Sequence, residues 1–258
     1  MTISTATTTA SRAPLVGFAA HLLLLAALAA TVGLTPWGWL TGLAYAAVLC
    51  GLFAVALLRA GLTFAGWANL VTFGRAILTG GVTALVASHL TGHDVPTVLL
   101  VGIAAVALAM DGVDGQVARR TGTTTSLGAR FDMEVDAFLI LVLSVLASAE
   151  YGWWALAIGA FRYVFVAASW GLPWLNAALP PKFGRKVVAA QQGVMLAVVV
   201  SGLLPVPVAV AALAIALASL TWSFGRDIRW LFRASRVRVS ARERWSAAPE
   251  CRPVLAVR

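Results

Sequence analysis

The chain has 258 residues, of which 60% are hydrophobic and 11% charged, with a formal net charge of +9 and a mean hydropathy of +0.90. One soluble core has no use for so much apolar side chain, so composition argues against a soluble domain and for an all-α, polytopic bundle of transmembrane helices. Cys50 and Cys251 form no CxxC spacing, which argues against a disulfide framework and a thiolate metal site.

A spanning helix takes about 20 apolar residues, and Pro, Gly and charge divide the chain into about eight such stretches, near 14–34, 38–58, 69–90, 95–118, 129–149, 151–171, 187–204 and 206–225. The first follows Arg12 and ends in alanines, as a cleaved signal does. Its apolar run exceeds a signal core, so it is read as a retained helix. Orientation follows from Lys and Arg. With the N-terminus inside, the inner connections hold Arg12, Arg59, Arg119, Arg120, Lys182, Arg185, Lys186 and the tail arginines, while the outer connections hold none. The expectation is N-in and C-in, with Trp37, Trp39, Trp153 and Trp154 at outer ends and Trp67, Trp170, Trp174 and Trp222 at inner ends. His21, His89 and His93 are scattered and read as packed or interfacial side chains.

Four aspartates interrupt this apolar background at the end of the fourth stretch and the start of the fifth. Ionised carboxylates at membrane depth are costly, and their default reading is functional. Asp111 and Asp114 are three apart and Asp132 and Asp136 four apart, so each pair shares a helix face. The short connection from Arg119 to Ser126 makes the two helices neighbours whose carboxylate pairs can face each other. Four converging carboxylates repel unless a cation lies between them, and all-oxygen donors suit Mg²⁺ or Mn²⁺. Gly115 and Gly128 remove side chains where the helices must approach.

The whole spacing reads DxxDGxxARx8GxxxDxxxD, from Asp111 through Gly115, Ala118, Arg119, Gly128 and Asp132 to Asp136. It resembles the signature of the CDP-alcohol phosphotransferase family at every fixed position. Asn69, Thr72 and Arg75 in ANLVTFGR are similar to the NxxTxxR that opens the first core helix of that family, with Ala68 where proline is common. The resemblance covers about residues 66–225, with two additional N-terminal helices in 1–60, a six-helix core in 61–225 and a basic tail in 226–258.

This resemblance implies a transferase of phospholipid biosynthesis. An acceptor alcohol attacks the β-phosphorus of a CDP-linked lipid, CDP-diacylglycerol or another CDP-alcohol, and CMP is released. It also implies two divalent ions, Mg²⁺ or Mn²⁺, held by Asp111, Asp114, Asp132 and Asp136, with Asp136 also taking the acceptor proton. Asn69, Thr72, Gly115, Arg119 and Thr125 are implied contacts of the CDP substrate. A homodimer is a further family expectation. The expected location is a bacterial cell membrane, multi-pass, with the active site facing the cytoplasm.

Arg162 lies in the middle of the sixth stretch, where an arginine should face the bundle interior or a wet cavity. Together with Lys182, Arg185 and Lys186 before the seventh stretch, it is a candidate contact for a small or phosphorylated alcohol acceptor. Topology anchoring explains those last three equally well. Glu134 lies between Asp132 and Asp136 in sequence but on another helix face, and is read as a helix-face or partner-facing residue and not a ligand. Ala137 stands where the phosphatidylglycerophosphate synthases of the family usually carry lysine, which counts against glycerol phosphate as acceptor. The tail from Arg226 carries nine arginines against three acids, and Arg226, Arg229, Arg233 and Arg236 recur at helical spacing. That pattern suits an interfacial helix on anionic membrane lipids, and leaves no need for a nucleic-acid partner. Two other readings stay open: an ion or solute transporter using the carboxylates as its path, and an inactive family member.

Overall fold

The computed structural model describes residues 3–60, 67–121, 126–177, 179 and 183–247. The described chain is all-helical: α1 (Ile3–Thr31), α2 (Pro36–Ala60), α3 (Trp67–Leu90), α4 (Thr97–Thr121), α5 (Ser126–Tyr151), α6 (Leu156–Gly171), α7 (Phe183–Val200) and α8 (Val206–Ala247), with short 3₁₀ turns at Trp153–Ala155 and Pro173–Asn176. Each expected apolar stretch is helical.

The connections explain why the helices stop where they do. Gly33, Gly92, Gly152 and Gly202 have positive φ, at 80°, 86°, 104° and 70°, and one follows each of α1, α3, α5 and α7. A side chain is disfavoured there, so glycine ends the helix. Proline then helps to start the next one. Pro36 opens α2, where its missing N–H costs nothing, and the Thr35 hydroxyl caps that helix by accepting from the Gly38 N–H at 3.2 Å. The Pro96 carbonyl accepts from Leu99 and Leu100 before α4, and the Pro205 carbonyl from Val208 and Ala209 before α8.

Three boundaries differ from the sequence expectation by five residues or more. α1 begins at Ile3, ahead of residue 14. Gly152 and the Trp153–Ala155 turn separate α5 from α6, so the regular part of α6 starts five residues later than expected. The largest difference is α8, which does not stop near residue 225 but continues through the arginine-rich segment to Ala247. No proline interrupts residues 208–247 and the lone glycine, Gly225, costs an α-helix only about 1 kcal/mol. The change from apolar to basic sequence is therefore a change of environment along one helix. Leu231 is fully buried, and the Phe232 ring meets Trp174 edge-on at 5.6 Å.

At the centre of the packing lies α3, against α1, α2, α4 and α5, while α7 packs against α4, α5 and α8. Val82, Leu85, Ala104, Leu139, Leu143, Leu196 and Leu213 are fully buried in one continuous core. Gln192 ties α7 to α8 by donating to the Ala216 carbonyl at 3.1 Å and the Ser219 hydroxyl at 3.2 Å. Where α6 crosses α5, a Cβ on Gly159 would lie 2.5 Å from the Leu141 Cα, so the backbones meet at a distance only glycine permits.

Outside this core the surface is apolar as well. Val98, Trp153, Leu203 and Trp170 are more than 80% exposed, a pattern that suits lipid better than water. Among the described residues, Trp153–Gly171 and Val206–Arg236 are long and apolar enough to cross a membrane, with shorter apolar stretches at Leu15–Thr31, Pro36–Leu52 and Thr97–Met110.

Candidate functional site

The inner face of α3 carries Thr72, Arg75 and Thr79, at the three- and four-residue steps that keep side chains on one side of a helix. All three are buried, and Arg75 has no exposed surface. A guanidinium in that position needs anionic partners, and α5 supplies them. Arg75 Nη2 lies 2.5 Å from Asp132 Oδ1 and 3.1 Å from Asp136 Oδ1. The same nitrogen donates to the Asp132 carbonyl at 3.1 Å, while the Thr79 hydroxyl donates to the Arg75 carbonyl at 3.0 Å.

Asp132 and Asp136 thus meet one buried cation, and each keeps about 30% of its side chain exposed. The group is open on one side and closed on the other. Carboxylate oxygens are the donors that hard divalent ions prefer, but among the described residues no group of three or more His, Cys, Asp or Glu side chains is placed to hold a metal ion.

Asp111, Asp114, Gly115 and Arg119 fall in the last turns of α4, and Asn69 in the first turn of α3. Their side chains lie outside the described residues, as do Thr125 and Lys182 altogether. Thr72, the one implied CDP contact whose side chain is described, lies one turn before Arg75 and is buried.

The candidate acceptor contacts separate. Arg162 is brought to Glu134, with Nη2 against Oε1 and Nε 3.3 Å from Oε2. Glu134 is about 200° around α5 from Asp132, at 100° per residue, so this pair faces away from the Arg75 cluster. Arg185, near the start of α7, lies 3.6 Å from Asp227 on α8, and Arg226 Nε lies 3.8 Å from the same carboxylate. Lys186 is exposed beside it.

Arg75 is the residue whose part sequence reasoning did not assign. It entered only as the last member of NxxTxxR, although an arginine inside an apolar span calls for a carboxylate partner by the reasoning applied to Arg162. The i, i+3 step from Thr72 puts it on the inward face.

The family profile described as CDP-alcohol phosphatidyltransferase matches residues 65–223, from just before α3 into α8, and leaves α1 and α2 outside. No curated protein and no solved structure matches the chain. Members of this family are membrane transferases of phospholipid biosynthesis, generally dependent on divalent metal. The match spans the aspartate signature, Arg75 and every helix that packs around them except the first two, and the chain belongs to the CDP-alcohol phosphatidyltransferase family, which transfers a phosphatidyl group from a CDP-alcohol to an alcohol acceptor.

Proposed function

We propose that the chain moves a phosphatidyl group from CDP-diacylglycerol to a small alcohol and releases CMP, at a site on the cytoplasmic face of an eight-helix membrane bundle with both termini inside. The observation that carries this reading is the convergence of Asp132 and Asp136 on buried Arg75, within a stretch that matches the family. The absence of Lys and Arg from the four glycine-marked connections supports the orientation.

Asp111, Asp114, Asp132 and Asp136 would hold two divalent ions, Mg²⁺ or Mn²⁺. When bound, such ions neutralise the pyrophosphate and the departing phosphate. Arg119 contacts the pyrophosphate, where a guanidinium makes paired hydrogen bonds to phosphate oxygens. Gly115 lets the nucleotide lie against the backbone, and Asn69, Thr72 and Thr125 supply polar contacts to it. Asp136 takes the proton as the acceptor oxygen forms its bond to the β-phosphorus. The bond from that phosphorus to the bridging oxygen of CMP breaks, and CMP leaves with the electron pair. Arg75 holds Asp132 and Asp136 in register, so little reorganisation is needed during the step. Arg162, Lys182, Arg185 and Lys186 are the candidates for holding an acceptor, with Arg162 paired to Glu134 and Arg185 to Asp227. Arginines of the α8 extension bind anionic lipid, and the protein assembles as a homodimer.

Purified protein in detergent, given CDP-diacylglycerol, Mg²⁺ or Mn²⁺ and a panel of inositol, inositol phosphate, serine, choline and glycerol phosphate, should release CMP with one acceptor. No metal-dependent CMP with any of them, or full activity in Asp136→Asn, would overturn the reading.

A further inference from the structure

After α6 the chain turns back against α8. Pro173 fixes the backbone at the start of the Pro173–Asn176 turn, and Asn176 Nδ2 donates to the Ser169 carbonyl at 3.1 Å, which ties the turn to the end of α6. Leu175 is buried, and the Trp174 ring meets Phe232 of α8 edge-on at 5.6 Å. Between this turn and the α8 extension lies a partly open cavity of about 330 Å³, lined by Pro173, Trp174, Asn176, Ala177 and Ser235. None of the residues assigned to the reaction lines it.

Pro173, Trp174 and Ala177 make most of that wall apolar, and Asn176 and Ser235 add two polar groups. The Ser235 hydroxyl donates to the Phe232 carbonyl at 2.8 Å, and its oxygen can still accept, while the Asn176 amide has a second N–H to give. A cation stands beside the cavity. Phe232 lies three residues before Ser235 and four before Arg236, so the three are neighbours on the helix surface. The Arg236 guanidinium is 5.3 Å from the centre of the same Phe232 ring that meets Trp174. From residue 226 to 236, α8 carries four arginines and one acid, Asp227. That acid is buried against Arg185 and Arg226, so it does not neutralise Arg233 or Arg236, both of which are exposed. Trp170 and Trp222, also exposed, are of the residue type that lies at headgroup level.

An apolar cleft with a cation at its mouth fits an amphiphile with an anionic head. A free anion would gain nothing from the Pro173 and Trp174 wall, and a zwitterionic head would bring its own cation towards the arginines. We propose that this cavity binds one anionic phospholipid, with its phosphate against Arg236 and Ser235 and its glycerol and first chain methylenes on Pro173, Trp174 and Ala177. The proposal rests on the reading of the α8 arginines as contacts for anionic lipid and deepens it, from a diffuse attraction to a discrete site. It is independent of the transferase reaction.

The test titrates the full-length protein in detergent with phosphatidylglycerol or phosphatidylcholine and counts the bound lipids by native mass spectrometry. Ser235→Trp and Ala177→Leu fill the cavity from opposite walls and keep every arginine, whereas Arg236→Gln keeps the cavity. The wild type should hold one phosphatidylglycerol saturably and no phosphatidylcholine at the same concentration, and excess glycerol phosphate should not displace it. Arg236→Gln should bind about fivefold more weakly, and the filled variants should lose the saturable step. Phosphatidylglycerol should also raise the melting temperature of the wild type and not of the filled variants; their melting temperatures without lipid report whether each is folded. Saturable binding that survives in a folded filled variant would overturn the site and leave the arginines as a diffuse attraction. Equal binding of phosphatidylcholine, or displacement by glycerol phosphate, would overturn it as well. A wild type that binds no phosphatidylglycerol would sink both the site and the reading of the arginines on which it rests.

Discussion

Arg75 holds Asp132 twice with one nitrogen, at 2.5 Å to the carboxylate and 3.1 Å to the carbonyl of the same residue. Side chain and backbone of α5 are thereby fixed together to α3. Removing the guanidinium in Arg75→Met leaves Asp132 and Asp136 facing each other without it, at a cost of about 3 kcal/mol. Arg75→Lys keeps the charge but not the fork, and should recover part of the stability and little of the rate. Melting temperature and CMP release, measured side by side on the two variants, distinguish charge from geometry; wild-type activity in Arg75→Lys would show that geometry has no role.

Asp132 and Asp136 are predicted to contribute through charge and ligation rather than packing, since both are partly exposed. Asp132→Asn should therefore fold, and lose about 10²-fold in rate, which corresponds to about 3 kcal/mol of transition-state stabilisation. Chelation with EDTA should abolish CMP release in the wild type, and added Mn²⁺ should restore it. Retention of a quarter of the wild-type rate by Asp132→Asn would count against its role as a ligand.

The helices and the shared face of Asp132 and Asp136 were legible in the sequence because long apolar runs make every charge within them conspicuous. Spacing alone put Asp132 and Asp136 on one face. Partner choice was not legible. Nothing in the local pattern says that Arg75 meets α5 whereas Arg162 meets Glu134, because each pairing is set by how whole helices rotate against one another. The continuation of α8 was missed for a different reason. Hydropathy reports where lipid ends, and a helix ends only where its backbone is broken.

Gly159 marks the closest approach of α5 and α6, with the Leu141 Cα only 2.5 Å from where a Cβ would stand and the Ser144 Oγ nearer still at 2.2 Å. A backbone atom cannot rotate aside, so Gly159→Ala should force the helices apart and cost about 1–3 kcal/mol. A lower melting temperature is expected, whereas Gly171→Ala, with nothing within 4 Å of the new methyl, should leave it unchanged. If both substitutions are silent, the helices are not in close contact.

The basic extension of α8 carries its arginines against aromatic faces: Arg229 lies 5.9 Å from the Trp222 ring and Arg236 lies 5.3 Å from the Phe232 ring. Such stacking keeps the cations near the level at which lipid headgroups would lie. Replacing Arg229, Arg233 and Arg236 by Gln should weaken the attraction to anionic lipid by about 1 kcal/mol each. In nanodiscs phosphatidylglycerol should stimulate the wild type and not the triple variant, with activity in neutral lipid the same for both. Equal stimulation of both proteins would assign the extension another partner.

The Arg162–Glu134 pair permits a complete thermodynamic cycle. Both groups are partly exposed, Arg162 at 29% and Glu134 at 56% of the side chain, and they lie on apolar helices, so each charge depends on the other where water is scarce. Arg162→Leu alone leaves a carboxylate, and Glu134→Leu alone leaves a guanidinium, at a cost of about 2–3 kcal/mol each. The double variant removes both charges and should return close to wild-type stability, because a paired charge at depth offsets its own desolvation and little more. Measured melting temperatures should therefore be strongly non-additive. The same four proteins separate anchoring from recognition of the acceptor. If Arg162 serves only to pair with Glu134, the double variant keeps the wild-type KM for the acceptor alcohol. A KM that stays raised after stability has recovered would instead show that the guanidinium itself meets the acceptor.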